Sequence, residues 1–470
     1  MKINKILNII IAVSSLLLVS CEESLNILPI TDKSANNFYS NEGEIESAIV
    51  GVYGKLQSSS LYGLDLIGVG EISGEDSFEE IAANDGGRFG QLDDFSTNAG
   101  NDLVGDIWRE SYEAILRINT VLNRIEAINY DDNSLKKTRI GEMQFVRALI
   151  YFNLVRLYGG VPLVIQETTN PFDFFGQGRN SASEIYIQIE LDLDAAIQNL
   201  PLTKTSGRPA KGAAQALLGD VHLTLGNFSE ALINLGNVVN SSVYQLATST
   251  DQIFGVANEG NSEVIFEVQF ASGINGNSEG SPAASQFRPS GTTANAKGHN
   301  LPSTAFVNSF EAGDTRLNDY VDVNTIINPF YHSNKYEVST TGPNDSGSDY
   351  FVIRYSDVLL KYAEALNETD QTSNAISELN KIRNRATLPN TSATTKEEVR
   401  DAIRNERRYE LIGEGHRWFD LKRYGNAIST MNSFFSTNNL NVVIDETNLI
   451  LPIPQSQIDT DPSISQNPGY

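Results

Sequence analysis

The chain has 470 residues and a formal net charge of −25 at pH 7. This acidic balance argues against binding to nucleic acid or to anionic lipid headgroups, and it favours a neutral ligand over a polyanionic one. The length would allow about three domains. Because no low-complexity linker divides the chain, we expect instead one large helical body over residues 21–470, with loop insertions.

Residues 1–20 have the features of a secretory signal peptide. Lys2 and Lys5 precede an apolar run over residues 6–19 that is too short and too polar for a comfortable membrane span. The run leads into Leu-Val-Ser-Cys at residues 18–21, a pattern typical of a bacterial lipoprotein signal. Cys21 is the only cysteine in the chain, so no disulfide can form within the chain. We expect lipidation of Cys21 to anchor the mature protein to a membrane.

The elements predicted next along the chain are amphipathic helices. Apolar residues recur with helical spacing over residues 42–56, 108–128, 143–157 and 183–200. Gly and Pro residues after the third and fourth of these segments are typical helix ends. The pattern predicts an all-α fold.

A repeat of two short helices is the strongest internal pattern. The first copy runs through residues 212–239 and the second starts near Asp357. Small residues occupy matching positions, because Gly219 and Ala231 are 12 residues apart, as are Ala363 and Ala375. Small residues let paired helices approach closely, which is typical of tetratricopeptide-type units. We expect such pairs to form a scaffold over residues of about 42–245 and 350–430.

Two segments do not fit the helical pattern. Residues 60–107 are rich in Gly, Asp and Asn, and residues 250–350 contain a strand-like run, residues 263–270, followed by a long Gly/Ser/Asn-rich stretch. Long loops on a rigid scaffold often carry binding sites, although they can also be plain surface connections. We interpret these two segments as the ligand region.

Motifs of catalysis are nearly absent. The sequence has no phosphate-binding loop and no His-Glu-x-x-His metal helix, so we predict neither enzymatic activity nor a metal or other cofactor. Residues 276–280 match the Gly-x-Ser-x-Gly nucleophile elbow with Ser278 at its centre. That elbow requires a helix directly after the serine, whereas Ser281 and Pro282 follow here within a flexible composition. A hydrolase is therefore a minor alternative.

Charged residues cluster between Arg404 and Arg423. On a helix, Arg407 would meet Glu410, and Asp420 would meet the arginines at positions 417 and 423. We interpret the cluster as an ion-pair network that fixes the C-terminal helix. A cationic ligand-binding face is the alternative.

Several segments resemble the SusD/RagB family. They are Arg-Asn-Glu-Arg-Arg-Tyr-Glu-Leu at 404–411, Glu-Gly-His-Arg-Trp-Phe-Asp-Leu-Lys-Arg at 414–423, Leu-Pro-Ile-Pro at 451–454, Gln-Asn-Pro-Gly-Tyr at 466–470, Phe-Val-Arg-Ala at 145–148, Tyr-Gly-Gly-Val-Pro at 158–162, and residues 354–367. The resemblance extends from Cys21 to the last residue.

This resemblance implies a scaffold of four tetratricopeptide-type helix pairs. It also implies a surface-exposed outer-membrane lipoprotein that captures glycans or other nutrients and docks onto a SusC-type TonB-dependent transporter. The usual sugar platform in the family is tryptophan. This chain has only Trp108 and Trp418, both within helix motifs that we assign to the scaffold.

Other residues of the two loop segments must then contact a ligand. Aromatic rings would stack on sugar faces, arginines would bind hydroxyls or a carboxylate, and an acidic residue often lies near the ligand in this family. The candidates are Asp76, Phe78, Arg88, Phe89, Phe287, Arg288, Tyr331 and Tyr336. An ordinary surface or packing role is the alternative for each.

Three further functions stay open beside glycan capture. The RagB branch of the family serves peptide uptake, and the scarcity of tryptophan fits it. A structural helical-repeat adaptor without a small ligand is the second, and the hydrolase is the third. The sequence does not name the sugar or its linkage.

Overall fold

The computed structural model describes residues 38–170, 172–274, 279–322 and 330–470. In chain order, its α-helices are α1 (Glu42–Leu56), α2 (Asp65–Ile72), α3 (Gly90–Asp93), α4 (Asp102–Ile125), α5 (Asn133–Tyr158), α6 (Ala182–Asn199), α7 (Lys211–Thr224), α8 (Phe228–Val239), α9 (Ala283–Gln286), α10 (Thr304–Val307), α11 (Arg316–Asp319), α12 (Tyr355–Glu368), α13 (Thr372–Arg385), α14 (Lys396–Glu410), α15 (Arg417–Arg423), α16 (Ala427–Thr437) and α17 (Gln455–Thr460).

The described strands are short and lie mostly in the second loop segment. They are β1 (Ser77–Phe78), β2 (Val264–Val268), β3 (Leu301–Pro302), β4 (Val321–Asp322), β5 (His332–Ser333) and β6 (Tyr350–Arg354). They form antiparallel pairs β1–β3, β2–β6 and β4–β5. The predicted all-α class is confirmed, because the helices form the body and these pairs only tie loops to it.

The scaffold is a chain of helices that pack on their sequence neighbours. Contacts run from α1 to α4, then through α5, α6, α7 and α8 to α12, which also packs on α13 and α14. Side-chain capping boxes start two of these helices, at Ser181 for α6 and at Thr395 for α14. Aliphatic and aromatic side chains from the helix faces share one large core. Trp108 and Trp418 are both buried, as predicted for scaffold residues.

The predicted helix repeat is confirmed by the pairs α7–α8 and α12–α13. A Cβ atom added at Gly219 would collide with the side chain of Leu235 on the paired helix. Ala231, Ala363 and Ala375 are fully buried. The small residues at the matching positions therefore permit the close approach of the helices.

The structure differs from the loop prediction at residues 65–72, where helix α2 is buried along its whole length. Gly68 and Gly70 lower the helix propensity of this segment, which explains why the sequence pattern did not indicate it. A Cβ atom at Gly68 would collide with the ring of Phe89, and one at Gly70 with the backbone of Gly415. Tertiary packing therefore requires glycines inside this helix.

The second loop segment folds over one side of the scaffold. The predicted strand at 263–270 is confirmed as β2, which pairs with β6 directly before α12. A separate small core fills the space beneath the loops, with Phe306, Tyr320 and Phe351 among its buried residues. We call this side of the molecule, formed by residues 75–94, 281–322 and 330–349, the loop face.

No described helix is both long enough and apolar enough to cross a membrane. Cys21 and the predicted signal peptide lie outside the described residues.

Candidate functional site

A buried ion-pair network attaches the loop face to the scaffold. Glu410 at the end of α14 accepts from Arg316, Arg354 and Arg385, with the Arg354 Nη1 to Glu410 Oε1 distance at 2.6 Å. Burial alone would raise the pKa of Glu410, but these arginines hold it well below its usual value. Glu410 thus stays ionised and joins residues that are distant in sequence.

The pairs within the 404–423 cluster differ from the prediction. Arg407 bonds Asp420 and Asp357 rather than Glu410. Among the predicted pairs, Arg423 with Asp420 is present at 3.0 Å. Arg417 instead bonds Glu75. Tertiary partners replace the local ones because the cluster is buried, and the interpretation as a structural network agrees with these contacts.

The N-terminal edge of the loop face is fixed to the C-terminal helices. Asp76 is 1% exposed and accepts from Nε and Nη2 of Arg408, and the Arg417 Nε lies 3.3 Å from it. Ser303 N donates to the carbonyl of Asp76 at 2.7 Å. Both carboxylate oxygens of Asp76 are therefore engaged by the protein itself.

A histidine clamps the loop that follows β1. His299 is fully buried, with Nδ1 2.9 Å from Glu79 Oε2 and Nε2 3.0 Å from Asp85 Oδ2. Lys297 Nζ donates to Asp85 Oδ1 at 2.8 Å. Asp85 has a φ of 48°, a left-handed conformation that is unusual for a non-glycine residue. These bonds hold the loop tip, residues 81–84, in one position.

Phe78 and Phe330 form an edge-to-face aromatic pair. Phe78 directly precedes Glu79, which bonds His299. Their ring centroids are 5.7 Å apart at an interplanar angle of 65°, and both rings are half-buried. β1 carries Phe78, and β5 follows Phe330 almost directly. Because β3 contacts both β1 and β5, the two rings have fixed positions at the same edge of the loop face.

Arg288 is a cation of this face without an acidic partner at bonding distance. Within the described residues its guanidinium forms no ion pair and donates no side-chain hydrogen bond, and its buried Nε has no acceptor. Asp322 and His332 lie within electrostatic reach. Burial and the charge of Arg288 lower the pKa of His332 to about 4, so this imidazole is neutral at pH 7.

The other predicted ligand residues occupy different environments. Phe89 is fully buried and stacks on His299 at 4.4 Å. Phe287 and Tyr336 are buried against each other, and the Tyr336 hydroxyl donates to the carbonyl of Gly413 at 2.8 Å. A ligand would have to displace protein contacts to reach any of these rings.

Arg88 and Tyr331 are half-buried. Arg88 Nη2 lies 2.5 Å from Asp65 Oδ2, and Tyr331 packs against the small core beneath the loops. All eight predicted residues thus lie on the loop face, where Phe78, Arg88, Arg288 and Tyr331 are half-buried and the other four are buried. Ligand contact by any of the eight stays a prediction.

Phe330 and Asp322 were not identified from the sequence. Phe330 directly precedes Tyr331, which the sequence analysis selected, and successive residues of an extended segment point to opposite sides. The sequence could therefore indicate that one of these two aromatic residues lies at the surface of the loop. Which neighbour faces outward depends on strand register, which the sequence alone did not provide.

The nucleophile-elbow match lies only partly within the described residues, and Ser278 lies outside them. Ser281 forms an antiparallel bridge with Ser346, and the next helix, α9, begins at Ala283. Where the structure describes the chain, no three His, Cys, Asp or Glu side chains are grouped so that they could hold a metal ion.

Two family models match the chain. Residues 32–223 match a model described as starch-binding associating with outer membrane, and residues 314–470 match a model of the SusD family. SusD-like protein P25 of Formosa agariphila is 27% identical over 99% of this chain and its own full length.

Solved structures of SusD-like proteins have the same fold as this chain. A laminarin-binding SusD-like protein is 27% identical, covers 92% of this chain and 100% of its own, and superposes with a TM-score of 0.79. A SusD homologue from Bacteroides thetaiotaomicron superposes with a TM-score of 0.81 at 23% identity over 94% of this chain and 99% of its own. The chain is a helix-pair protein of the SusD-like class. It belongs to the SusD/RagB family.

Proposed function

We propose that the protein captures glycans through the loop face and delivers them to a SusC-type TonB-dependent transporter. The observation that carries the proposal is the half-buried ring pair Phe78–Phe330 on the loop face that also carries Arg288, whose guanidinium has no acidic partner at bonding distance among the described residues. Aromatic edges and faces bury the apolar side of a sugar ring. An arginine can donate several hydrogen bonds to hydroxyl oxygens.

The comparisons support a glycan as the ligand class. One matching family model is described by starch binding, and a structural relative at 27% identity is named for laminarin binding. The strongly acidic chain favours a neutral polysaccharide over a polyanionic one. Laminarin is therefore the first glycan to test, beside starch.

Calorimetry on the purified protein tests this site. We expect Phe78→Ala and Phe330→Ala each to weaken glycan binding by about 5- to 150-fold, because each removes apolar surface buried by a sugar ring. Phe172→Ala is the matched control, since Phe172 is 72% exposed and lies outside the loop face. Unchanged affinity in both loop-face variants would place the site elsewhere. Binding of a casein hydrolysate instead of any glycan would favour the peptide-uptake alternative.

The anchor and the partner belong to the same proposal. The lone cysteine at the end of a lipoprotein-type signal supports lipidation at Cys21, and the description of the N-terminal family model supports outer-membrane association. A membrane anchor would raise the effective concentration of the protein beside a transporter. We expect Cys21→Ser to move the protein from the membrane fraction to a soluble one, and retention under high salt would contradict lipidation.

Purification from native membranes tests the transporter. In a mild detergent, we expect an affinity-tagged protein to recover a large outer-membrane channel in near-stoichiometric amount, since stable complexes bury about 2,000 Å² or more in total. Recovery of the protein alone, with glycan uptake unchanged after deletion of the transporter gene, would contradict the partnership.

A further inference from the structure

A cavity lies inside the helical scaffold, apart from the loop face. It has a volume of about 330 Å³ and is enclosed by parts of α5, α6, α7, α12 and α15 together with Ile450. A narrower recess shares several of its lining residues and extends toward Tyr62 and Tyr350. Ala182, Thr224 and Ile450 line the cavity and are partly exposed, so the cavity communicates with solvent.

Arg156 is held rigidly at the wall of this cavity. Its guanidinium lies between the rings of Phe152 and Phe419, 3.9 Å and 4.1 Å from their centroids. Nε donates to the carbonyl of Phe152 at 3.3 Å, and Nη2 donates to Asn153 Oδ1 at 2.7 Å. Across the described parts of the chain it has no carboxylate partner and Nη1 donates no hydrogen bond. The group is therefore preorganised and retains donor capacity.

Most of the other charged residues that line the cavity form ion pairs. Lys361 bonds Asp220 and Asp357 at 2.8 Å each, and Arg423 bonds Asp420 at 3.0 Å. The acidic lining residues are thus already bonded to other cations. Arg156 acts on Asp220 only electrostatically and is the permanent lining charge that has no carboxylate at bonding distance among the described residues.

Lys422 is a second lining cation and has carbonyl partners. Its ammonium donates to the backbone oxygens of Leu449, at 2.8 Å, and of Arg156. Burial and the neighbouring charge of Arg156 lower the pKa of Lys422 to about 7. Tyr186 and His416 also line the cavity, and within the described residues neither side chain has a hydrogen-bond partner.

We propose that this cavity binds a small monocarboxylate, up to the size of a sugar acid. One permanent charge without a bonded carboxylate favours a singly charged anion, and a preorganised arginine suits a planar carboxylate. The volume lies near the lower end of the range for small-molecule pockets, which excludes an oligosaccharide. Tyr186 and His416 supply hydrogen-bonding groups for hydroxyls, while Phe419, Val155 and Ile450 supply apolar wall.

Calorimetry of the purified protein with acetate and D-glucuronate tests the proposal, with D-glucose as the uncharged match. We expect 1:1 binding of a carboxylate and none of glucose. Arg156→Gln should weaken binding at least about tenfold, because a charge-assisted hydrogen bond is lost. Arg109→Gln is the matched control, since the Arg109 side chain is 61% exposed and does not line the cavity. Binding of neither acid, or equal binding of glucose, would overturn the proposal.

Two further variants keep the test decisive if Arg156→Gln fails to fold. Tyr186→Phe removes one hydroxyl and should weaken glucuronate binding. A bound anion raises the pKa of a neighbouring ammonium, so we expect Lys422 to take up a proton when the acid binds at pH 8. Calorimetry in buffers of different ionisation enthalpy measures this proton uptake. Lys422→Met should abolish it. If neither variant changes its readout, the acid binds elsewhere. Phe78→Ala should leave carboxylate binding unchanged, so failure of this proposal is distinguishable from failure of the loop-face site.

Discussion

The scaffold helices and the loop face are stabilised by different kinds of buried side chain. The helices meet through apolar side chains such as Leu193, Leu235 and Leu379, all fully buried. The loop face is joined to them by Arg316, Arg354 and Lys335, each no more than 1% exposed. The Gly- and Asn-rich loops bury only a small apolar core, so paired charges at fixed points hold them in addition. Paired charges also require specific partners, which gives the loops one geometry.

The largest expected effect comes from breaking this attachment. Glu410→Ala leaves three buried arginines without their shared partner, and we expect a loss of about 3–5 kcal/mol in the free energy of unfolding. Urea titration followed by circular dichroism measures it. Glu113→Ala is the control, because Glu113 pairs with two cations at a more exposed position and should cost less than about 1 kcal/mol. If both variants lost a similar free energy of unfolding, buried ion pairs would not be specifically responsible for attaching the loop face.

Two phenylalanines separate packing from binding within the loop face. Phe89→Ala deletes a fully buried ring that stacks on His299, so we expect about 3–5 kcal/mol of destabilisation. Phe78→Ala removes a half-buried ring and should cost distinctly less stability. Thermal unfolding of both variants is the measurement. A larger loss for Phe78 would show that its ring is structural.

The pH dependence of stability reports on buried acids at the junction of the two regions. Burial raises the pKa of Glu71 to about 8, although the Gly415 and His416 amides oppose it. The folded state then holds a proton that the unfolded state releases, so stability falls as pH rises from about 5 to 8, by up to about 1.4 kcal/mol per pH unit. Glu71→Gln should flatten this slope in denaturation curves. An equal slope in this variant and in the exposed control Glu397→Gln would show that Glu71 is not the cause.

The glycine of α2 gives the smallest expected effect. Gly70→Ala places a Cβ against the backbone of Gly415, and we expect about 1–3 kcal/mol of destabilisation from overpacking. Gly105→Ala in α4 meets open space and should stabilise by up to about 1 kcal/mol, because alanine favours a helix. Denaturant midpoints of the two variants should therefore move in opposite directions. Movement in the same direction would contradict the packing described for α2.

The same contrast explains what the sequence could predict. Helical periodicity predicted α1 with its observed ends, Glu42 and Leu56, and the repeat spacing predicted the α7–α8 and α12–α13 pairs, because apolar packing leaves a periodic pattern. Ion pairs between distant residues leave no such pattern. The partners of Asp76 and Glu410 were therefore missed, and local spacing suggested the wrong partner for Arg407.

For the candidate site, the sequence indicated the two loop segments and two of the half-buried residues in the proposed glycan site. Phe78 and Arg288 were named from residue type and loop position. Phe89 and Tyr336 were named on the same grounds, yet both are buried. Residue type does not distinguish an inward from an outward aromatic ring in a loop, because that depends on contacts such as Phe89 with His299.

The His299 clamp has a consequence for divergence among related chains. It fixes both ends of the tip formed by residues 81–84, at Glu79 and at Asp85, while Ile81 at the tip is 45% exposed. Ala82 lies against Gly90 and Asn84 donates to the carbonyl of Lys297, so substitutions and insertions should be tolerated best at the exposed positions 81 and 83, since the cost of lengthening a closed loop grows slowly. Related chains can therefore diverge at these two positions without any change in how the chain folds.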